Sequence, residues 1–177
     1  MEKKTGCVHI YCGDGKGKTT CGMGLCVRAA GYGYRVLIYQ FMKDNSTSER
    51  RAMEKIPGIT FVPGLAQEKF SFQMSEQEKK ERKQFYEDKF REVTQKAQQE
   101  AYQVLFLDEI IYTIRAGLFD EELLVRWLKE KPEDLEVILT GQNPGEQLIA
   151  CADYVSELKK IRHPFDRGLA ARDGIER

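Results

Sequence analysis

A glycine-rich segment between an apolar run and a helical pattern constrains this chain more than any other feature of its sequence. Residues 13–20 read Gly-Asp-Gly-Lys-Gly-Lys-Thr-Thr, directly after the apolar stretch at 7–12 and at the start of a helical pattern over 18–30. Glycines let the backbone N–H groups of such a loop turn inward around phosphate oxygens, and the start of a helix adds the positive end of its dipole. The order of strand, loop and helix therefore predicts a phosphate-binding loop.

Individual residues of this loop suit distinct parts of a nucleotide site. Lys18 can reach the phosphates, and the hydroxyl group of Thr19 can bind Mg²⁺. We expect the nucleotide to contact the whole loop: Gly13, Asp14, Gly15, Lys16, Gly17, Lys18, Thr19 and Thr20. The strict motif would have a glycine where this chain has Cys12, so the loop is one residue shorter than its usual form. The alternative interpretation is a glycine-rich turn with two solvated lysines.

The second half of a nucleotide site is expected at the end of another buried strand. Asp108 and Glu109 follow the apolar residues 104–107. A carboxylate in that position can hold Mg²⁺ directly or through water, and we predict Glu109 and Thr19 as the magnesium ligands. The alternative is that the two acids merely start the next helix. The guanine-specific Asn-Lys-x-Asp tetrapeptide is absent from the sequence, which favours ATP over GTP.

Strands alternate with helices along the chain, which is typical of a parallel sheet. Strands are predicted at 7–12, 35–41, 59–62, 104–109, 136–141 and 154–161. Helices are predicted over 18–30 and 75–101, from 120 to just before Pro132, and briefly from Pro144; a capping box at 75–78 opens the long one. We predict an α/β, three-layer, phosphate-loop NTPase-like fold, with a mostly parallel sheet covered by helices on both faces. Residues 1–177 are expected to form a single nucleotide-binding domain.

Composition excludes several classes of protein. The chain has 28 basic and 28 acidic residues, and this balance argues against a nucleic-acid partner. Its apolar runs are too short for a transmembrane helix, and its first residues do not resemble a signal peptide. We therefore predict a cytoplasmic protein that does not associate with membranes. The five cysteines are expected to be reduced thiols, because their spacing fits neither a metal site nor a disulfide framework.

Several segments, taken in order, carry a resemblance to a known family. They are GDGKGKTT at 13–20, YQFMK at 39–43, LDE at 107–109, VSEL at 155–158, RHPFDRG at 162–168 and GIE at 174–176. This order resembles the phosphate-loop type of ATP:corrinoid adenosyltransferase over nearly the whole chain. The phosphate loop alone would be generic, whereas its combination with VSEL and the C-terminal segments is specific.

The resemblance implies a group-transfer reaction. The substrate would be a corrinoid whose cobalt is reduced to Co(I), which attacks the ribose 5′ carbon of ATP and expels triphosphate. The family's ATP lies in its loop in the reverse sense to most phosphate-loop enzymes, because the bond that breaks is at the ribose. From the residues themselves two other functions stay open, namely a recombinase-like ATP-hydrolysing protein and a non-catalytic corrinoid carrier.

The resemblance also implies residue roles beyond the loop. Lys18 and Thr19 would act in catalysis, and Arg28 matches a family position near the nucleotide. Phe70 and Phe72 match an aromatic pair that packs beneath the corrin ring, displaces the lower cobalt ligand and eases reduction of Co(II). The alternative for both rings is that they are core anchors beneath a long loop.

The resemblance also implies protein partners, and this chain differs from the family pattern at two places. A reduced flavoprotein would supply the electron for cobalt, and the family suggests a homodimer. Where the family commonly has an arginine after the fifth strand, this chain has Gln142, so a phosphate contact there is not expected. Many relatives carry a longer segment before the first strand that covers the site in a dimer, so we expect the corrinoid here to be covered from elsewhere or to be covered incompletely.

Overall fold

The computed structural model describes residues 5–69 and 71–176. Within those residues the chain forms six strands: β1 (Val8–Cys12), β2 (Val36–Gln40), β3 (Ile59–Phe61), β4 (Val104–Asp108), β5 (Glu136–Thr140) and β6 (Tyr154–Glu157). The helices of the same part of the chain are α1 (Lys18–Tyr32), α2 (Ser48–Met53), α3 (Glu76–Gln99), α4 (Ile110–Arg115), α5 (Glu121–Glu130) and α6 (Glu146–Ala150). Short 3₁₀ helices lie at Ser71–Gln73 and Pro164–Arg167.

The strands form one sheet in the order β3-β2-β4-β5-β1-β6. Neighbouring strands of this sheet run parallel at each pairing that the described residues make. The residues of β2 and β4 are buried throughout, as expected for strands covered on both faces. The predicted α/β fold with a parallel sheet is therefore confirmed.

Alternate side chains of the strands enter two separate cores. On one face Ile38 and Phe106 pack with Met23 and Cys26 of α1 and with Met53 of α2. The other face is larger and takes residues from α3, α4, α5 and α6. The helices thus cover both faces, which makes the three layers that the alternation of elements predicts.

The helix signals in the sequence are accurate at several ends. The capping box is confirmed, because the Ser75 hydroxyl accepts the Glu78 N–H at 3.2 Å and the Glu78 carboxylate accepts the Ser75 N–H at 2.7 Å. Asp120 caps α5 by accepting the N–H of Glu122. No helix in the part of the chain that the structure describes is long and apolar enough to cross a membrane.

The last strand is shorter than predicted for a tertiary reason, and the structure has two short helices whose bounds were not predicted. The last strand, predicted over 154–161, ends at Glu157, because the next residue bonds to the phosphate loop: the Leu158 N–H donates to the Cys12 carbonyl and the Leu158 carbonyl accepts the Gly15 N–H. Helix α4 begins at Ile110 and Glu109 is its N-cap, which agrees with the alternative that the two acids start a helix, although the extent of α4 was not predicted. Helix α2 was likewise not predicted.

Candidate nucleotide and corrinoid site

Glycines of the loop permit close contact with the segment after β6. Gly13 has a φ of 109°, and Gly17, the N-cap of α1, has a φ of 113°. The Gly15 N–H donates to the Leu158 carbonyl at 2.7 Å. A Cβ atom on Gly13 would lie 2.3 Å from that carbonyl oxygen, and one on Gly15 would lie 2.7 Å from it. The loop therefore needs glycine for its own packing as well as for any approach to phosphate.

The side chains of the loop point in different directions. The Lys18 ammonium curls over the loop and donates to the Gly15 carbonyl at 2.8 Å. The side chains of Asp14 and Lys16 face the C-terminal segment instead: Asp14 accepts the N–H of Lys160 at 2.9 Å, and Lys16 lies 3.8 Å from Glu176. Lys18 is thus placed at the centre of the loop, whereas Lys16 is at its rim.

Asp108 organises the chemistry at the ends of the strands. Its carboxylate is fully buried. Oδ1 accepts hydrogen bonds from the hydroxyls of Thr19 at 2.9 Å and Thr140 at 2.7 Å. Oδ2 accepts from the Gln40 amide at 3.1 Å and from the Lys43 ammonium at 2.7 Å. We call these five residues the Asp108 cluster; they come from α1 and from the ends of β2, β4 and β5.

Lys43 is the cation of the Asp108 cluster. Burial by itself favours its neutral amine, but the charge of Asp108 and the hydrogen bond to it outweigh burial, so the pKa of Lys43 is raised. The ammonium group also lies 3.2 Å from the hydroxyl oxygen of Thr19. Lys43 therefore stays charged at neutral pH and neutralises a carboxylate that has no access to solvent.

Glu109 has a strained backbone at the same edge of the sheet. Its φ of 62° and ψ of 12° lie in the left-handed region, which costs a residue with a side chain about 1–3 kcal/mol. Hydrogen bonds hold it there: its N–H donates to the Thr140 hydroxyl at 2.8 Å, and its carbonyl accepts the Thr113 hydroxyl at 2.8 Å. Burial, and then the charge of Asp108, raise the pKa of the Glu109 carboxyl. A cation bound beside it would lower that pKa.

Two cavities adjoin the loop, and another cavity adjoins one of these two. One of about 630 Å³ is lined by Thr19, Lys43 and Glu109, and we call it the loop cavity. A second, of about 740 Å³, shares Lys43 with it and extends to Glu68; we call it the outer cavity. Thr47 and Ser48 also line both cavities. A third cavity, of about 260 Å³, lies between the loop and the C-terminal segment around Phe165.

The oxygen donors of the loop cavity fit Mg²⁺. Thr19 offers a hydroxyl and Glu109 a carboxylate, which are the hard ligands this ion prefers. The ammonium of Lys43, held between Thr19 and Asp108, shows that a cation is accommodated there. Within residues 5–69 and 71–176, no three His, Cys, Asp or Glu side chains form a ligand cluster. A magnesium ion would therefore complete its coordination with phosphate and water oxygens.

Comparison with known proteins identifies the family. The family model described as "ATP:corrinoid adenosyltransferase BtuR/CobO/CobP" matches residues 4–177. The chain belongs to the ATP:corrinoid adenosyltransferase family. A corrinoid adenosyltransferase of Sinorhizobium sp. is 34% identical over 97% of this chain and 80% of its own length. The Escherichia coli K12 enzyme of the same name is 30% identical, over 99% and 87% of the two chains. The resemblance noted from the motifs is thus confirmed.

Two solved structures have folds similar to that of this chain. A KaiC-like protein from Pyrococcus horikoshii OT3 superposes with a TM-score of 0.59 at 19% identity, covering 88% of this chain and 73% of its own. The ATPase domains 2 and 3 of EssC from Geobacillus thermodenitrificans give a TM-score of 0.51 at 14% identity, over 96% of this chain and 35% of that one. Likeness at this level of identity concerns the fold alone.

Some residues that the adenosyltransferase resemblance singled out lie apart from the loop. Arg28 is nine residues along α1 from Thr19, about 14 Å along the helix axis, and lines another cavity with Tyr32 and Tyr34. Phe72 is 80% exposed in its 3₁₀ helix, so it is not a core anchor. It lies three residues beyond Lys69, which lines the outer cavity. Phe70 falls outside the described residues.

Sequence analysis of this adenosyltransferase missed part of the Asp108 cluster. Gln40 and Lys43 stand at and just after the end of β2, and Thr140 ends β5. Each is a polar residue that follows a buried apolar run, and that was the available signal. The pairing of β4 with both β2 and β5 brings these ends together.

Proposed function

We propose that this protein transfers the 5′-deoxyadenosyl group of ATP to the Co(I) of a reduced corrinoid and releases triphosphate. One observation carries the proposal: the loop cavity and the outer cavity meet at Lys43, beside the phosphate loop. A nucleotide whose phosphates lie on the loop would thereby have its ribose next to open space. In a kinase or a hydrolase the acceptor or water attacks the γ-phosphate and needs no room beside the ribose, whereas adenosyl transfer to a corrinoid needs a large cavity there.

The residues of the loop would stabilise the leaving group. In the transfer, the electron pair of Co(I) forms a bond to C5′ of the ribose, and the C5′–O bond breaks with its electrons passing to triphosphate. Negative charge grows on the α-phosphate, so fixed cations and N–H groups at that point lower the barrier. Lys18 and the backbone amides of 13–19 would supply them. Mg²⁺ held by Thr19 and Glu109 would add positive charge when bound.

The outer cavity suits a substrate with many amide groups. Its lining includes the polar or charged residues Asp44, Ser46, Arg51 and Glu68. Glu68 is itself anchored, because its carboxylate accepts the Tyr86 hydroxyl at 2.9 Å and pairs with Arg82. Such fixed donors and acceptors can orient the amide side chains of a corrin ring. The exposed ring of Phe72 is three residues beyond Lys69 of this lining, and in this proposal it contacts the bound macrocycle.

A product analysis tests the proposed function. The protein is incubated with Mg-ATP and a chemically reduced corrinoid, and the products are separated by chromatography. We expect an adenosylated corrinoid and intact triphosphate in equal amounts. ADP or inorganic phosphate as the nucleotide-derived product would contradict the proposal, and so would steady ATP turnover without corrinoid. Tight corrinoid binding without alkylation would favour a carrier instead.

Replacement of Phe72 tests the aromatic role. We expect Phe72→Ala to retain most transfer to corrinoid that is reduced beforehand, and to lose up to about tenfold in an assay that starts from Co(II), because a packed aromatic contact is worth about 0.5–1.5 kcal/mol and about 1.4 kcal/mol is a factor of ten. Tyr32→Ala is the matched control, since Tyr32 is 77% exposed at the far end of α1. Equal losses of Phe72→Ala in both assays would rule out a role in cobalt reduction.

The partners follow from the same proposal. The electron that reduces cobalt would come from a reduced flavoprotein, and the protein would act as a cytoplasmic homodimer. Size-exclusion chromatography with light scattering measures the oligomeric state directly. These statements derive from the family resemblance and do not depend on the geometry of the Asp108 cluster.

A further inference from the structure

The position of Lys43 conflicts with the magnesium site described above. Its ammonium group lies 3.2 Å from the Thr19 hydroxyl, which is a proposed magnesium ligand, and 2.7 Å from Asp108. A divalent cation bound to the same hydroxyl would stand within a few ångströms of that ammonium group. Charges of like sign at such a separation repel strongly in a partly buried site. Lys43 and Mg²⁺ therefore disfavour each other at these positions.

The buried charge of Asp108 stabilises the Lys43 ammonium in this position, and the adjoining cavities leave space for the side chain to move away. Asp108 has no exposed surface, so its charge needs a nearby cation when no metal is bound. The Lys43 side chain is 24% exposed and lines both the loop cavity and the outer cavity. Its four-carbon stem is flexible, so rotation of the side chain can carry the ammonium group out of the cluster into the space shared by the two cavities.

We infer that Lys43 is a built-in counterion that holds the magnesium position of the nucleotide-free protein and is displaced when Mg-ATP binds. The inference rests on the proposed function for the location of the metal. It predicts that the empty protein binds divalent cations weakly, because a resident charge must first move. Magnesium would then enter together with the nucleotide, whose phosphates supply the charge that draws it in. The displaced ammonium would remain at the boundary where nucleotide and corrinoid meet.

Metal binding without nucleotide tests the inference. Mn²⁺ is titrated into the nucleotide-free protein, and the free ion is followed by electron paramagnetic resonance. We expect Lys43→Met to bind Mn²⁺ at least about tenfold more tightly than the wild type, because it removes the competing charge. Lys43→Arg keeps the charge and is expected to bind Mn²⁺ as the wild type does. Combining Lys43→Met with Asp108→Asn should abolish the gain.

A stability measurement gives a second readout. Thermal unfolding is followed with and without Mg²⁺ and without ATP. Without Mg²⁺, the midpoint temperature of unfolding of Lys43→Met should lie below that of the wild type, since Asp108 loses its counterion. Addition of Mg²⁺ should raise this midpoint again. The wild type should respond little. Lys69→Met is the matched control, because Lys69 also lines the outer cavity but pairs with Glu78 at the surface.

Two results would overturn the inference. One is an unchanged or weaker Mn²⁺ affinity in Lys43→Met, which would make Lys43 a permanent partner of Asp108. The other is a wild type that gains as much stability from Mg²⁺ as Lys43→Met does. If Lys43→Met does not fold, Lys43→Gln replaces it, since its amide can still donate to Asp108. Neither measurement uses corrinoid or ATP, so failure here leaves the product analysis intact, and the reverse also holds.

Discussion

Replacing Asp108 by alanine is expected to lower the free energy of unfolding by about 3–5 kcal/mol and to abolish adenosyl transfer. The side chain is fully buried and accepts hydrogen bonds from Thr19, Thr140, Gln40 and Lys43. Its removal leaves the Thr19 and Thr140 hydroxyls and the Gln40 amide without their buried acceptor, and it takes away the counterion of Lys43. It also frees the Thr19 hydroxyl, so the residue proposed to hold magnesium loses its orientation.

Urea unfolding followed by circular dichroism measures the effect of Asp108→Ala on stability. Asp88→Ala is the matched control, because Asp88 is an exposed carboxylate on α3 that pairs with Arg91. The free energy of unfolding of Asp88→Ala should stay within about 0.5 kcal/mol of the wild-type value. Asp108→Asn keeps the shape of the side chain and removes its charge, so it separates packing from electrostatics. A loss in Asp108→Ala no larger than in Asp88→Ala would show that the Asp108 cluster contributes little to folding.

Replacing Lys18 by alanine is expected to reduce adenosyl transfer about 100- to 1,000-fold while leaving the fold intact. The ammonium of Lys18 curls over the loop, at the point where a phosphate would lie. The loss of one well-placed donor to a developing negative charge costs about that factor. In the structure Lys18 makes one partly buried hydrogen bond, to the Gly15 carbonyl of its own loop, so its removal should lower the unfolding free energy by only about 1 kcal/mol.

Rates of transfer to pre-reduced corrinoid measure the effect of Lys18→Ala, and a separate titration follows corrinoid binding. Corrinoid affinity should change less than ATP affinity. Lys159→Ala is the matched control, because Lys159 lies near the loop and is exposed beside Glu157. The transfer rate of Lys16→Ala should lie between the rates of Lys18→Ala and Lys159→Ala, since Lys16 lies at the rim of the loop beside Glu176. Full activity in Lys18→Ala would remove the phosphate role of this lysine.

Local features of the chain were open to prediction from sequence alone. Apolar runs of strand length, alternating with helical patterns, predict a parallel sheet, and the sheet is parallel. The capping box at 75–78 acts within four residues, so it is visible without any tertiary information. The family could be recognised in the same way, because its motifs are short segments in a fixed order.

Features that depend on strand order were not open to prediction. The order β2-β4-β5 places Gln40, Asp108 and Thr140 side by side, although 68 residues separate the first two. The same packing holds Glu109 in a left-handed conformation that its residue type disfavours, because hydrogen bonds from Thr113 and to Thr140 fix its backbone. Distances of 2.7–3.2 Å between such groups depend on the register of the strands, which sequence periodicity does not specify.

The sequence by itself determined that this chain has a phosphate loop, an α/β fold and the motifs of its family, because each of these depends on residues that are neighbours along the chain. Only the tertiary structure decided that Lys43 neutralises Asp108 beside Thr19, that Leu158 ends the last strand by bonding to the loop, and that Arg28 lies away from it. The physical reason is that the backbone and side-chain partners at the ends of parallel strands are chosen by how the strands are ordered in the sheet, and that order is set by the packing of both cores.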